Sequence, residues 1–246
     1  MSTGPAPAPA GGIDLARGFR FVPEDPDWIK KVLIGGVFML LSGLIVGAVF
    51  VAGYGVRLLR NTARGEARPL PEWDDLGGMA GDGLRAMALY LAYALPVMLV
   101  PMGCILVMIF ATAGLSGHGS HGASEALGPL MAMGVMGLYA FMAVVMLALS
   151  LYVPAALARF VMLERLGAGF EVGENIAFIR RNLPNYAMTL LLYLLASFAA
   201  QLGIVLCCVG FFPASFWAFC ILCWGLGEVV RRDPLRAAAP RSGTTA

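Results

Sequence analysis

The sequence predicts an all-α fold: a polytopic transmembrane helical bundle of about five spans, with two interfacial amphipathic helices. Three observations carry this expectation. Of 246 residues, 59% are hydrophobic and 13% charged, against about 45–50% and about 25% in a soluble domain. The apolar excess is concentrated, because no Asp, Glu, Lys or Arg occurs in residues 32–56, 86–124, 126–158 or 182–227. A spanning helix takes about 20 mostly apolar residues, so these windows have room for about five. Finally, the Lys and Arg residues lie beside the ends of the apolar runs, as the positive-inside rule requires. The net charge of +2 is too small for a nucleic-acid-binding surface.

Residues 1–24 read as a disordered N-terminal tail, opening on the Pro/Ala/Gly-rich MSTGPAPAPAGG. Residues 25–235 read as one transmembrane helical domain, and 236–246 as a disordered C-terminal tail. Asp25-Pro26-Asp27-Trp28 is a helix start, with Trp28, Lys30 and Lys31 at headgroup level. The first apolar run, 32–56, is rich in glycine and contains the pair Gly43 and Gly47 at G-x-x-x-G spacing, a close-packing signal. Two arrangements fit this run. A single span places the N-terminus outside despite Arg17, Arg20, Lys30 and Lys31. A hairpin broken near Ser42-Gly43 returns both ends to one side. Twenty-five residues are short for two spans, so the single span is the favoured expectation.

The second run spans about 85–115 and contains Pro96 and Pro101, where kinks are expected. Residues 116–128 carry His118, His121 and Glu125 but no Lys or Arg, which assigns them to the outside. The third run, about 129–161, contains Pro154 and closes on Arg159, Glu164 and Arg165. Val172, Ile176, Ile179 and Leu183 then recur at helical spacing opposite Glu171, Glu174, Asn175 and Arg181. This is an amphipathic helix suited to the membrane interface, ended by Pro184. Runs four and five, 187–209 and 213–230, meet at Gly210-Phe211-Phe212-Pro213, a turn signal. Residues 57–85, 159–186 and the C-terminus are Arg-rich, so all three are expected in the cytosol of a cell carrying this chain in its inner or plasma membrane.

The charged insertion 57–85 is an elbow between runs one and two. Pro69 and Pro71 hold an extended bend. Asp74 can cap a following helix, with Asp75 in its first turn. Leu76, Met79, Ala80, Gly83, Leu84 and Met87 then give that helix an apolar face. The segments Gly53-Tyr54-Gly55-Val56-Arg57, Arg64-Gly65-Glu66, Pro69-Leu70-Pro71-Glu72-Trp73-Asp74-Asp75 and Gly83-Leu84 resemble the signature of a bacterial and archaeal membrane family, catalogued as domain of unknown function 4013. The resemblance covers about residues 25–235. It implies a polytopic membrane domain, with no activity and no catalytic residue to carry over.

Candidate chemistry is sparse. Glu72, Asp74 and Asp75 are potential cation ligands, but a helix start facing Arg57, Arg60, Arg64 and Arg68 explains them as well. His118 and His121 have metal-ligand spacing without a cysteine beside them. Cys220 and Cys223 form a C-x-x-C, with Cys207 and Cys208 nearby, yet they fall inside a span, where cysteine serves as a small apolar filler. No metal, cofactor or catalytic set is therefore expected. Coupled transporters usually carry ionisable groups at membrane depth, and this chain offers Gln201 as its most polar deep side chain. The expectation is a non-enzymatic scaffold, accessory or lipid-organising protein, with the bilayer and other membrane-protein subunits as partners and no nucleic acid. The alternative is a transporter or channel component with a path lined by proline-kinked helices. The candidate cytosolic docking elbow comprises Arg64, Glu66, Pro69, Pro71, Glu72, Trp73, Asp74 and Asp75.

Overall fold

The structure, a computed structural model, describes residues 12–116, 121–204 and 210–234, and every regular element among them is helical. Two compact units divide the chain. One takes residues up to 89 and from 154 onward; the other takes residues 90–153.

In the first unit, α1 (Leu15–Arg20) begins where the Asp14 carboxylate accepts from Ala16 N–H at 2.9 Å. This corrects the expected tail over 1–24. Ile13, Phe21 and Val22 are buried, and Phe21 stacks on Trp224 with ring centroids 5.2 Å apart. The Pro/Ala-rich start lowers the average hydropathy of the segment and conceals the apolar residues between 13 and 22. Residues 1–11 and 235–246, the outer parts of the two expected tails, lie outside the described residues.

Next, α2 (Trp28–Leu40) runs into a 3₁₀ turn at Leu41–Leu44, and α3 (Val46–Arg64) returns. The first apolar run is therefore a helical hairpin, and the favoured single span is corrected. The reversal turns on Ile45 at φ 65°, a conformation that a β-branched residue seldom adopts. It is held by contacts across the hairpin: the Phe38 and Phe50 rings lie 4.9 Å apart, and Gly47 sits against the Phe38 carbonyl. Among the described residues nothing lies within 4 Å of the site a Cβ on Gly43 would take, so Gly43 and Gly47 are not a helix-packing pair there. Twenty-five apolar residues suit one crossing or two half-length helices equally. The hairpin wins because Gly35 and Gly36 allow α2 to press onto Phe216 and Pro213.

The elbow leads into α4 (Leu76–Ser116), followed by α5 (His121–Leu163). Two short helices, α6 (Leu166–Phe170) and α7 (Val172–Arg181), precede α8 (Leu183–Gln201), which ends in a 3₁₀ turn at Leu202–Ile204, and α9 (Phe211–Arg232) closes the described fold. Among the described residues, four stretches are long and apolar enough to cross a membrane: Leu76–Phe110, Met131–Leu163, Leu183–Ile204 and Phe211–Arg232. The expected count of about five thus falls to four, because the first run folds back.

Helix α9 is the hub of the first unit, packing against α1, α2, α3 and α8. Its residues Phe216, Ile221 and Leu226 are fully buried with Tyr54, Leu58 and Leu59 of α3 and Leu192 of α8. Helix α4 contributes Met79, Gly83, Ala86 and Leu89, a buried line offset from the predicted face, since Leu76 and Leu84 are exposed. Gly53 and Gly83 make the close crossing of α3 and α4: a Cβ on Gly53 would meet the Met79 carbonyl, and one on Gly83 the Val49 carbonyl. Small residues permit such backbone approach.

Helix α7 shows its predicted apolar residues Val172 and Ile176 to the outside, as Leu183 does at the start of α8, and buries Asn175 and Phe178. An outward apolar face suits a helix lying on lipid. Pro184, expected to end α7, lies instead in the first turn of α8. In the second unit, the Tyr93 and Tyr152 hydroxyls lie 3.2 Å apart. Along the same helices Met98, Val107, Phe110, Met133, Met136 and Tyr139 are exposed, an apolar surface such as a bilayer covers. Helix α4 continues without interruption through Pro96 and Pro101.

Candidate functional site

The elbow is fastened at both ends by elements already described. Helix α3 stops at Gly65, whose φ of 79° permits the left-handed C-terminal cap; the N–H groups of Gly65 and Glu66 donate to the Thr62 and Asn61 carbonyls at 2.9 and 3.1 Å. Asn61 Nδ2 then donates to the Pro69 carbonyl at 3.1 Å. This lays the buried segment Pro69-Leu70-Pro71 along the fold. At the far end Asp75, one residue beyond the expected Asp74, caps α4: its Oδ1 accepts from Gly78 N–H at 2.9 Å. That bond first, and then Arg57 Nη2 at 2.6 Å, hold the Asp75 carboxyl below the usual carboxylate range.

Between these ends the elbow closes over Lys31. Lys31 Nζ lies 2.8 Å from Asp25 Oδ2, 2.6 Å from Glu72 Oε1 and 3.3 Å from the Leu70 carbonyl oxygen. The Lys31 and Asp25 side chains are only 4% and 5% exposed. Burial on its own lowers a lysine pKa, but the hydrogen bonds to Asp25 and Glu72 outweigh it, and Lys31 is held above its ordinary value. One residue away, Lys30 is exposed. The sequence sets both lysines alike as headgroup flanks and Asp25 in a helix start, with nothing to pair Asp25 with Lys31. Helical phase separates them, because Lys31 shares a face with Gly35 and Phe38.

Trp73 completes the closure. Its Nε1–H donates to the Lys31 carbonyl at 3.1 Å. Its ring stacks on Tyr54 at 4.6 Å and on Phe38 at 4.9 Å, with Phe216 at 6.0 Å. Trp73, a residue of the candidate docking elbow, is thus the pin that joins elbow, hairpin and α9.

The remaining charges form clusters of their own. Asp82 lies 3.5 Å from Arg57 and 3.4 Å from Arg60. Arg159 binds Asn175 Oδ1 at 3.2 Å and Glu171 Oε2 at 2.9 Å, and Asn175 Nδ2 donates to the Gly169 carbonyl. Buried Asp233 accepts from Asn182 Nδ2 at 3.1 Å and lies 3.6 Å from Arg181. Glu228 accepts from both Arg231 and Arg232, at 2.8 and 3.1 Å. None of the buried polar residues Asn175, Asn182 and Asp233 was singled out as a site by sequence reasoning, because lone amides and acids near helix ends carry no spacing signal.

Of the predicted elbow residues, Glu72, Trp73 and Asp75 engage Lys31, Phe38 and Arg57, although the Glu72 and Asp75 side chains stay exposed. Pro69 and Pro71 are buried, Glu66 and Asp74 are exposed, and Arg64 lines a cleft. Glu72, Asp74 and Asp75 do not converge, since Glu72 binds Lys31 and Asp74 accepts from Asp75 N–H. Cys220 and Cys223 are buried inside α9, with Cys223 Sγ against Gly55. Cys207, Cys208 and His118, together with the side chains of His121 and Glu125, lie outside the described residues.

The family described as "Protein of unknown function (DUF4013)" matches residues 36–209, which include the hairpin turn, the elbow and α4 to α8. No curated protein and no solved structure matches the chain.

Proposed function

The chain belongs to the DUF4013 family, and from that premise we propose that it is a non-enzymatic integral membrane protein, a scaffold that organises lipid and partner helices. One observation carries this assignment. The interior of the first unit is filled by large apolar side chains such as Tyr54, Phe216, Leu192 and Ile221, all fully buried, while the α4–α5 stretch of the second unit turns its apolar residues outward. Of the elbow's charged groups, Arg57, Glu72, Asp75 and Asp82 are engaged in ion pairs that hold the fold. What the chain offers to its surroundings is apolar helix surface and exposed arginine. Pro96 is exposed on α4, which weighs for a lipid- or partner-facing helix over a path lined by kinks.

The hairpin also bears on orientation. With α2 and α3 folded back and four spans after them, the number of crossings is even. Both termini then lie on one side, and Arg17, Arg20 and Lys30 join residues 57–85 and 159–186 in the cytosol of a cell membrane, in accord with the positive-inside rule. Arginine there faces anionic headgroups. A Gly12→Cys variant on a background without other cysteines is expected to resist a membrane-impermeant maleimide in intact cells and to label after permeabilisation. Labelling in intact cells refutes the even count.

The function itself is tested by reconstitution. Proteoliposomes holding the purified chain are expected to show no flux of protons, K⁺ or small metabolites above protein-free vesicles. Native mass spectra of gently extracted material are expected to carry bound lipid or a partner subunit. Saturable flux of any of these solutes would replace scaffolding with transport.

A further inference from the structure

We propose that a cleft at the charged end of the first unit binds a phospholipid headgroup that joins a phosphodiester to a primary amine. This assignment rests on the lipid-organising function above and names its ligand.

The cleft has a volume of about 130 Å³ and lies between α3, α5 and α9; Leu59, Arg60, Arg64, Val161, Glu164 and Val230 are among its lining residues. It has room for about four waters. That accommodates a headgroup. Its walls differ in chemistry. Arg60 and Arg64 sit on α3, the Glu164 carboxylate lies 3.9 Å from Arg60 Nε, and Leu59, Val161 and Val230 supply apolar surface.

The arginine wall has spare donors. Arg60 Nε is buried and has no hydrogen-bond partner among the described residues. It lies 3.9 Å from Glu164 Oε1, beyond hydrogen-bonding distance. A buried donor left without an acceptor is costly, so such groups are normally satisfied by a ligand, ion or water. Arg64 is exposed and has no ion pair among the described residues. Two guanidinium groups on one wall match the oxygens of a phosphodiester.

Glu164 supplies the second half of the recognition. It holds φ 52°, a left-handed conformation uncommon for a residue other than glycine. Its side chain is 70% exposed, with Arg60 at 3.9 Å as its ion-pair neighbour. The carboxylate therefore retains acceptor capacity for an ammonium. A primary ammonium donates hydrogen bonds to it; a quaternary ammonium has none to donate. The combination selects phosphatidylethanolamine over phosphatidylcholine. The same phosphoethanolamine chemistry occurs in soluble glycerophosphoethanolamine, but the apolar lining and the adjoining spanning helices α5 and α9 favour the lipid.

The test uses the full-length chain, stripped of lipid in detergent and titrated with phosphatidylethanolamine or phosphatidylcholine of identical acyl chains, with occupancy read by native mass spectrometry. Phosphatidylethanolamine is expected to bind about tenfold more tightly, the value of one charge-assisted hydrogen bond. Glu164→Gln is expected to remove that preference, and Arg64→Gln to weaken both lipids about tenfold. Arg64 makes no ion pair among the described residues, so its variant should fold; Arg60→Lys, which keeps the charge and loses the Nε donor, provides a second probe with the same expected direction. Equal binding of the two lipids by the wild type, or a preference that survives Glu164→Gln, overturns the site while leaving the scaffold function standing. Glycerophosphoethanolamine binding as tightly as the lipid overturns the lipid assignment. Failure to retain any lipid or partner overturns both.

Discussion

Gly83→Leu should abolish recovery of a monodisperse chain in mild detergent, and Gly83→Ala should lower its melting temperature measurably. At the crossing of α3 and α4, a Cβ on Gly83 would meet the Val49 carbonyl oxygen and lie 2.8 Å from its carbonyl carbon and 3.0 Å from Gly53 N. Those are backbone atoms, which cannot move aside by changing rotamer. The reciprocal Gly53 faces the Met79 carbonyl in the same way, so neither helix can yield without disturbing the other contact. Overpacking typically costs about 1–3 kcal/mol when side chains can adjust; here the adjustment falls on two helices, and the cost of leucine belongs above that range. Total stabilities are only about 5–15 kcal/mol. Gly43→Leu is the control, because nothing among the described residues lies within 4 Å of its Cβ position. Size-exclusion profiles of the two leucine variants decide the matter, and a Gly83→Leu profile matching wild type would sink the idea.

Lys31→Met should destabilise the fold by about 3–5 kcal/mol, the usual cost of stranding one partner of a buried ion pair. Asp25 would keep its buried carboxylate and lose the ammonium 2.8 Å away. Asp25→Asn combined with Lys31→Met should recover much of the loss, since no buried charge is then stranded. Glu72→Gln should cost about 1 kcal/mol or less, because the Glu72 side chain is 59% exposed and water screens it. The pH dependence has a definite sign. Lys31 is held above its ordinary value of 10.5, so its contribution is fully present below that pH and is lost as pH rises through the folded-state value. Thermal unfolding at pH 7 and at pH 11 should therefore differ in the wild type and differ less in Lys31→Met. Equal melting temperatures for wild type and Lys31→Met at pH 7 would remove Lys31 from the framework.

Much of this architecture is legible in the amino-acid sequence because long charge-free runs have few alternatives. The four crossing stretches, the all-helical class and the family resemblance of the elbow all follow from such runs and from the PLPEWDD string. The first run is ambiguous for a physical reason: its length and composition suit one crossing or a hairpin, and the choice is made by contacts with Phe216 and Pro213, which lie far along the chain. The same distance hides the pairing of Lys31 with Glu72, and the seat of Trp73 between Tyr54 and Phe38. Helix α7 has the expected period, yet Asn175 on its polar face is buried, because Arg159 and the Gly169 carbonyl offer its amide partners. Hydrophobic periodicity cannot anticipate partners that tertiary packing supplies.

The central place of α9 has a consequence in time. The hairpin of α2 and α3 leaves the ribosome roughly 150 residues before α9, and at about 5–20 residues per second it waits on the order of 10–30 s for the helix it packs against. Through that interval Gly35, Gly36, Gly55 and the Tyr54 ring have no mate from α9. The early hairpin must lodge against lipid, a chaperone or the translocation machinery until then. Chains interrupted anywhere between residues 65 and 210 should strand it there, a ready target for membrane quality control.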